Sequence, residues 1–233
     1  MTRLAQEFRC LVDTRYRRAF RSLRYLPHVN YRFVVDAGAS RGSFSDAILR
    51  LYRLEKLVLV EALPDLAARL KKQFADHTEC SVVAAALSDR TGEALFEVNE
   101  FDYSSSLLKI DPRNSEWFGR SLKVANTIRV PTLTLPDLLA QQRLERVDLL
   151  KLDLQGAERL VLTGGESVLN RIRVIYSEVL FEPLYAGCWL FWDIHDYLTR
   201  RGFKLCGLSN VAHATGGDLL QANATYRQLD TTS

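Results

Sequence analysis

Residues Phe33–Ser45 read FVVDAGASRGSFS. An apolar strand runs into Asp36, a turn follows with glycines at 38 and 42, and a helical pattern opens at Ser43. Glycines between a strand and a helix let the main chain turn tightly and approach a ligand closely. In an open α/β sheet such a turn lies beyond the carboxyl end of the first strand, beside the crevice where ligands bind. This stretch therefore predicts an α/β fold with a ligand site at Asp36–Gly42.

Working outward, short apolar runs alternate with helical stretches, the pattern of a mostly parallel sheet covered by helices on both faces. The strands expected are Arg32–Asp36, Lys56–Glu61, Cys80–Ala85, Val147–Asp153 and Arg173–Val179. Between and after them, Ser43–Leu51, Pro64–Ala75, Leu135–Gln141, Glu158–Thr163 and Leu190–Arg201 read as helices. Residues 92–131 break the rhythm and read as an inserted hairpin with a polar loop around Tyr103–Ser106. Lys204–Ser209 and Leu219–Tyr226 form a closing antiparallel pair. Upstream, Leu4, Phe8, Leu11, Tyr16 and Leu23 recur at helical intervals among arginines, so residues 1–30 read as a basic amphipathic extension to a domain over 31–233. Such a helix either braces the domain or rests on a membrane surface.

With 233 residues, 47% of them hydrophobic, the chain can bury one sheet but is short for two independent domains. Lysine and arginine number 31 against 28 acids, and a net charge of +3 does not demand a polyanionic partner such as nucleic acid. Cys10, Cys80, Cys188 and Cys206 form no CxxC pair, which argues against a zinc site and a disulfide scaffold and fits the reducing cytoplasm. No apolar run approaches the roughly 18 residues of a membrane span, and the opening segment lacks the apolar core of a signal peptide.

Three chemistries compete for the glycine turn. A dinucleotide fingerprint fails on spacing, because Asp36 sits where the glycine triplet would begin. Gly38-Ala39-Ser40-Arg41-Gly42 satisfies the GxSxG nucleophile elbow, with Ser40 as nucleophile and His195 or His213 as base. Yet only the N-terminal segment precedes it, leaving no earlier strands to build an oxyanion loop. The third chemistry is S-adenosylmethionine, which carries an ammonium and a sulfonium and no phosphate. An acid at the strand end suits it. Gly38, Ser40 and Gly42 would shape its turn, and Glu61, ending the second strand, would accept the ribose hydroxyls. Ala85–Leu87 could flank the adenine, with Ser88 and Asp89 near its amino group.

These motifs resemble the FkbM-type methyltransferases over nearly the whole chain after Tyr31. The resemblance is carried by DAGASRGSFS at Asp36–Ser45, VEALP at Val60–Pro64, ALSDRTG at Ala86–Gly92 and SSSL at Ser104–Leu107. LLKLDLQGAE at Leu149–Glu158, EPLYAG at Glu182–Gly187 and Gly202–Phe203 follow in order. One departure is the Ala62-Leu63 pair before Pro64, where the family often has Glu-Pro directly. The resemblance implies a Rossmann-like class I methyltransferase fold, a seven-stranded sheet with an antiparallel final strand, S-adenosylmethionine as donor, and O-methylation of sugars or natural-product hydroxyls.

Methyl transfer from a sulfonium to a hydroxyl needs alignment, exclusion of water and one base. Asp153, ending the fourth strand, is the first candidate for that base; Glu178, ending the fifth, could line the pocket opposite, and His195 is the alternative. Two carboxylates could share a divalent cation, but without a dense acidic cluster the expectation is a metal-free site. Ser104 and Ser105 read as a gate, and Tyr185 and Trp189 as aromatic walls for a sugar ring. RNA or a protein amine as acceptor, with the basic N-terminal segment as an arm, is the competing enzyme reading; a non-catalytic nucleotide-binding scaffold is the other. The modest charge counts against RNA, and Asp153-Leu154-Gln155-Gly156 lacks the proline pair common where nitrogen is methylated.

Overall fold

The structure, a computed structural model, describes residues 20, 23, 26–100, 104–114, 123–214 and 216–229. Strands β1 (Phe33–Ala37), β2 (Lys56–Glu61), β3 (Cys80–Ala84), β7 (Leu149–Leu152), β8 (Val174–Leu180), β9 (Phe203–His213) and β10 (Leu219–Gln228) form one seven-stranded sheet in the order β3-β2-β1-β7-β8-β10-β9. Strands β1, β2, β3, β7 and β8 pair in parallel, and β10 runs antiparallel to both its neighbours. The mostly parallel α/β sheet is therefore as expected. A second sheet holds β4 (Ala86–Leu87), β5 (Gly92–Asn99) and β6 (Val124–Leu133), with β5 and β6 antiparallel.

Alternation along the parallel strands builds two apolar layers. Val35, Ala37, Val58 and Val60 face one cluster, while Val34, Leu57 and Leu59 face the other. Successive strand residues point to opposite faces, so both faces of this sheet are apolar and each must be covered. Helices α3 (Leu135–Gln141), α4 (Glu158–Gly164) and α5 (Phe191–Thr199) cover the first through Leu138, Leu139, Val161, Leu162, Ile194 and Leu198. Helices α1 (Ser43–Leu51) and α2 (Pro64–Gln73) cover the second through Phe44, Ala47, Ile48 and Leu70. Burying each such leucine or isoleucine is worth about 1.5–3 kcal/mol. Local signals set the helix starts: Pro64 begins α2, where a missing N–H costs nothing, and the Thr134 hydroxyl caps α3 by accepting from Asp137 N.

Element boundaries differ from the sequence reading by a residue or two in several places, and more at two of them. The expected strand through Ala85 breaks there, so that Cys80–Ala84 joins the large sheet and Ala86–Leu87 the small one. The closing pair extends further, to His213 in β9 and Gln228 in β10. The N-terminal amphipathic helix lies mostly outside the described residues. Leu23 and Leu26 are buried in the α1/α2 layer, and Tyr31 OH donates to Pro27 O at 2.9 Å. Among the described residues, no helix is long and apolar enough to cross a membrane.

Candidate active site

A cavity of about 590 Å³ opens over the carboxyl ends of β1, β2, β7 and β8 and is bordered by β9 and β10. Gly38 lies where strand ends meet. Its φ of +75° suits glycine, and a Cβ there would stand 2.0 Å from Asp153 O, so only glycine allows the β1 and β7 ends to come together. Ser40 lines the cavity with φ 49°, and its backbone N–H donates to Glu61 Oε2 at 2.7 Å. Glu61 Oε1 accepts from Leu63 N at 2.9 Å. The turn and the β2 end are thereby tied through one buried carboxylate. Burial pushes the Glu61 pKa up, and the hydrogen bonds from Leu63 and Ser40 pull against that rise. Ala86, Leu87, Leu63 and Phe96 give this end of the cavity an apolar wall.

The opposite end is polar. Gln155, held at φ 56° after β7, donates from Nε2 to Asp153 Oδ1 at 2.9 Å and to Glu178 Oε2 at 2.8 Å. Its Oε1 accepts from Tyr185 OH at 2.9 Å. One amide therefore fixes two carboxylates and a phenol around the cavity. Glu178 Oε1 also accepts from Gln221 Nε2 at 3.1 Å. Burial first, then the neighbouring Glu178 and Glu158 carboxylates, hold the Tyr185 pKa well above its usual value, so this phenol remains a donor. Ser104 and Ser105 line the same end, and Ser105 Oγ accepts from Asn99 N at 3.1 Å. Tyr103 lies outside the described residues.

Several expected site residues stand elsewhere. Asp36 is fully buried beneath the turn, accepts from Ser45 Oγ at 2.6 Å, and is not among the residues lining the cavity. It reaches the site through Lys151, whose Nζ lies 2.9 Å from Asp36 Oδ1 and donates to Gly38 O at 2.7 Å. Gly42 opens α1 at φ +76° and packs on Leu70 and Phe74, outside the lining. Ser88 Oγ bonds to Asp89 Oδ1, and the Asp89 backbone packs against Gly164; neither residue lines the cavity, because the chain turns away from it after Leu87. His195 sits on α5, stacked on Phe191 at 5.5 Å, and Trp189 packs on Tyr197 at 5.0 Å. Neither borders the cavity, so His195 is withdrawn as base and Trp189 as a wall. His213 is exposed at the end of β9, which leaves Ser40 without the histidine that a nucleophile elbow requires.

The sequence reading passed over Lys151, Gln155, Asn210, Gln221 and Asn223, all of which line the cavity. A lysine inside the apolar run LLKLDL was a signal that could have been read, since a charge in a central strand requires a partner. Glu158 Oε1 accepts from Leu154 N at 2.6 Å and so ties α4 to the loop that follows β7.

Comparison with known proteins places this geometry. The chain is 30% identical over 197 residues to 2-O-methyltransferase NoeI of Sinorhizobium fredii (strain NBRC 101917 / NGR234), covering 82% of this chain and 79% of that protein. It is 31% identical over 154 residues to methyltransferase sdnD of Sordaria araneosa, covering 57% of this chain and 60% of that one. The crystal structure of methyltransferase FkbM from Methylobacillus flagellatus KT shares the fold with a TM-score of 0.53 at 13% identity, covering 84% of this chain and 44% of that one. Residues 36–205 match the model of the methyltransferase FkbM domain, and the chain belongs to that family of methyltransferases.

Proposed function

We propose that this chain transfers the methyl group of S-adenosylmethionine to a hydroxyl of a sugar or natural-product small molecule. The observation that carries the reading is the Glu61 carboxylate, buried at the β2 end, oriented by two backbone donors and facing the cavity beside the Gly38 turn. Each of its oxygens keeps a second lone pair for the hydroxyls of a ribose. The turn at Gly38, into which no side chain could be built, and the apolar wall of Leu63, Leu87 and Phe96 suit a nucleoside with an adenine face. The family assignment and the O-methyltransferase name of NoeI support the same reaction.

When bound, the cofactor supplies a methyl group on a sulfonium, a leaving group that departs as a neutral thioether. The residues of this chain do the rest. Gly38, Ser40 and Glu61 hold the nucleoside, and the Asp153 carboxylate takes the proton from the acceptor hydroxyl. Gln155 fixes the direction of that carboxylate, and Tyr185, with Ser104 and Ser105, closes the acceptor end against water. The free thiols of Cys80, Cys188 and Cys206 suit a reducing cytoplasm.

The test is transfer of a tritiated methyl group from S-adenosylmethionine to a panel of glycosides, phenols, polyketide alcohols, RNA and amine-bearing peptides. Label on hydroxyl acceptors is expected. Label confined to RNA or peptide amines would overturn the proposed acceptor class.

A further inference from the structure

The cavity extends past the two carboxylates to a wall that the reaction does not require. Strand β10 begins there, and its first residues lie against the ends of β8 and β9. Asn223 pairs with Glu178 across one side and Ser209 across the other, and Gln221 pairs with Ala212. Opposed residues of antiparallel strands share a face. Gln221 and Asn223, two positions apart, therefore share the face that carries Glu178, and all three line the cavity, as does Asn210.

This wall is built at a cost. Between the pairs Gln221–Ala212 and Asn223–Ser209 the register shifts, leaving Asn210 and Val211 opposite Ala222 alone. The bulge holds Asn210 at φ 50°. Among the described residues, four non-glycine residues adopt positive φ, and Ser40, Gln155 and Asn210 of these line the cavity. Left-handed backbone is uncommon in residues that carry a side chain, and bulges beside a site re-aim a side chain.

The chemistry of the wall is selective. Asn210, Gln221 and Asn223 each offer both donor and acceptor groups, and Glu178 adds an acceptor. Cross-strand from Asn223, the buried Ser209 Oγ has no protein hydrogen-bond partner among the described residues. Amides and carboxylates match hydroxyls, which donate and accept at once. The described cations in the lining are Arg41, on the β1 turn, and Lys151, engaged by Asp36 and Gly38 O, so none stands on this wall. An anionic acceptor would meet Glu178 without a counter-charge.

We propose that the β9–β10 end of the cavity is an acceptor subsite that reads a neutral, polyhydroxylated ring through the amides of Asn210, Gln221 and Asn223 and rejects its anionic counterparts. The proposal rests on the methyl-transfer reading above and adds to it the location and charge of the acceptor.

Saturation-transfer NMR on the full chain with S-adenosylhomocysteine tests it, using methyl α-glucopyranoside and methyl α-rhamnopyranoside as neutral probes and glucuronate and glucose phosphate as anionic ones. Calorimetry first establishes that S-adenosylhomocysteine binds; failure at that stage would sink the cofactor reading, and this proposal with it. Given a bound nucleoside, the neutral glycosides should receive saturation and the anions should not. Asn210→Gly keeps the backbone conformation and removes the amide, and Gln221→Met removes a second one at similar volume. Each should weaken the neutral probes about tenfold without changing S-adenosylhomocysteine affinity. Should the anions bind as well as the glycosides, should neither glycoside bind, or should both variants bind like the parent, the subsite is wrong while the cofactor reading stands.

Discussion

Lys151 Nζ stands 2.9 Å from Asp36 Oδ1, with the carboxylate fully buried and the lysine nearly so. Burial pushes the lysine pKa down, and the carboxylates of Asp36, Asp153 and Glu61 more than offset it, so the ammonium remains charged. The pair joins β1 to β7 at paired positions in the register and carries the Gly38 carbonyl on the same nitrogen. Breaking a buried pair from one side strands the other charge.

Asp36→Asn and Lys151→Met should each lose about 3–5 kcal/mol of stability, and the double variant should lose less than the two together. Urea denaturation of all four proteins reads the coupling. Additive losses would mean that the two groups do not act as a pair.

The carboxylate clamp separates catalysis from binding. Asp153→Asn should lower turnover about 10²–10⁴-fold, the range for a general base, with S-adenosylhomocysteine affinity unchanged. Gln155→Glu, placing a third carboxylate against the other two, should raise the pH at which turnover is half-maximal. His195→Gln should leave turnover as it is, because His195 packs on Phe191 and Tyr226 away from the cavity. Steady-state kinetics against pH checks all three, and a His195 variant without activity would restore the histidine to the mechanism.

Gly38→Ala inserts a methyl where Asp153 O already stands, at a φ that alanine avoids. It should destabilise the fold by more than about 2 kcal/mol and abolish nucleoside binding. Gly207→Ala, with nothing near the new methyl and no positive φ, is the control and should be nearly neutral. Thermal melts and calorimetry of the two variants distinguish a close-packed turn from a general intolerance of substitution.

Glu158 sets a pH dependence. Burial raises its pKa from 4.5 to about 7, against the hydrogen bonds from Leu154 and Gly156 that favour the ionised form. A carboxylate with a folded pKa above its unfolded value binds more protons in the folded state, so its contribution to stability is greatest below pH 4.5, falls as pH rises towards 7, and is level above. Glu158→Gln keeps an acceptor for Leu154 N and should flatten the stability profile across that window. Denaturation midpoints from acid to neutral pH would contradict this if the parent and the variant changed in parallel.

The sheet was legible because its physics is local. Alternation in Phe33–Ala37 and Lys56–Glu61 sends consecutive side chains to two apolar layers, and Ser43 and Pro64 stand at the first residues of α1 and α2. Glu61, Gly38, Ser40, Asp153, Glu178, Tyr185, Ser104 and Ser105 were all expected at the site and all line the cavity. The failures concern direction. A strand-end acid faces either the crevice or the layer beneath, and for Asp36 the choice was made by Lys151 and Ser45 on other elements. His195 stacks on Phe191, its i,i+4 neighbour on α5, and Trp189 packs on Tyr197, so both belong to the aromatic face of that segment. Asn210 depends on a one-residue register shift between β9 and β10, which leaves no mark in the sequence.

The measurement that bears most directly on the central claim is calorimetry of S-adenosylmethionine, S-adenosylhomocysteine and NAD binding to the parent and to Glu61→Gln. The account predicts micromolar binding of both sulfur nucleosides to the parent, loss of at least about tenfold in the variant as ribose acceptors are replaced, and no binding of NAD. Binding of NAD alone, or nucleoside binding indifferent to Glu61, would contradict it.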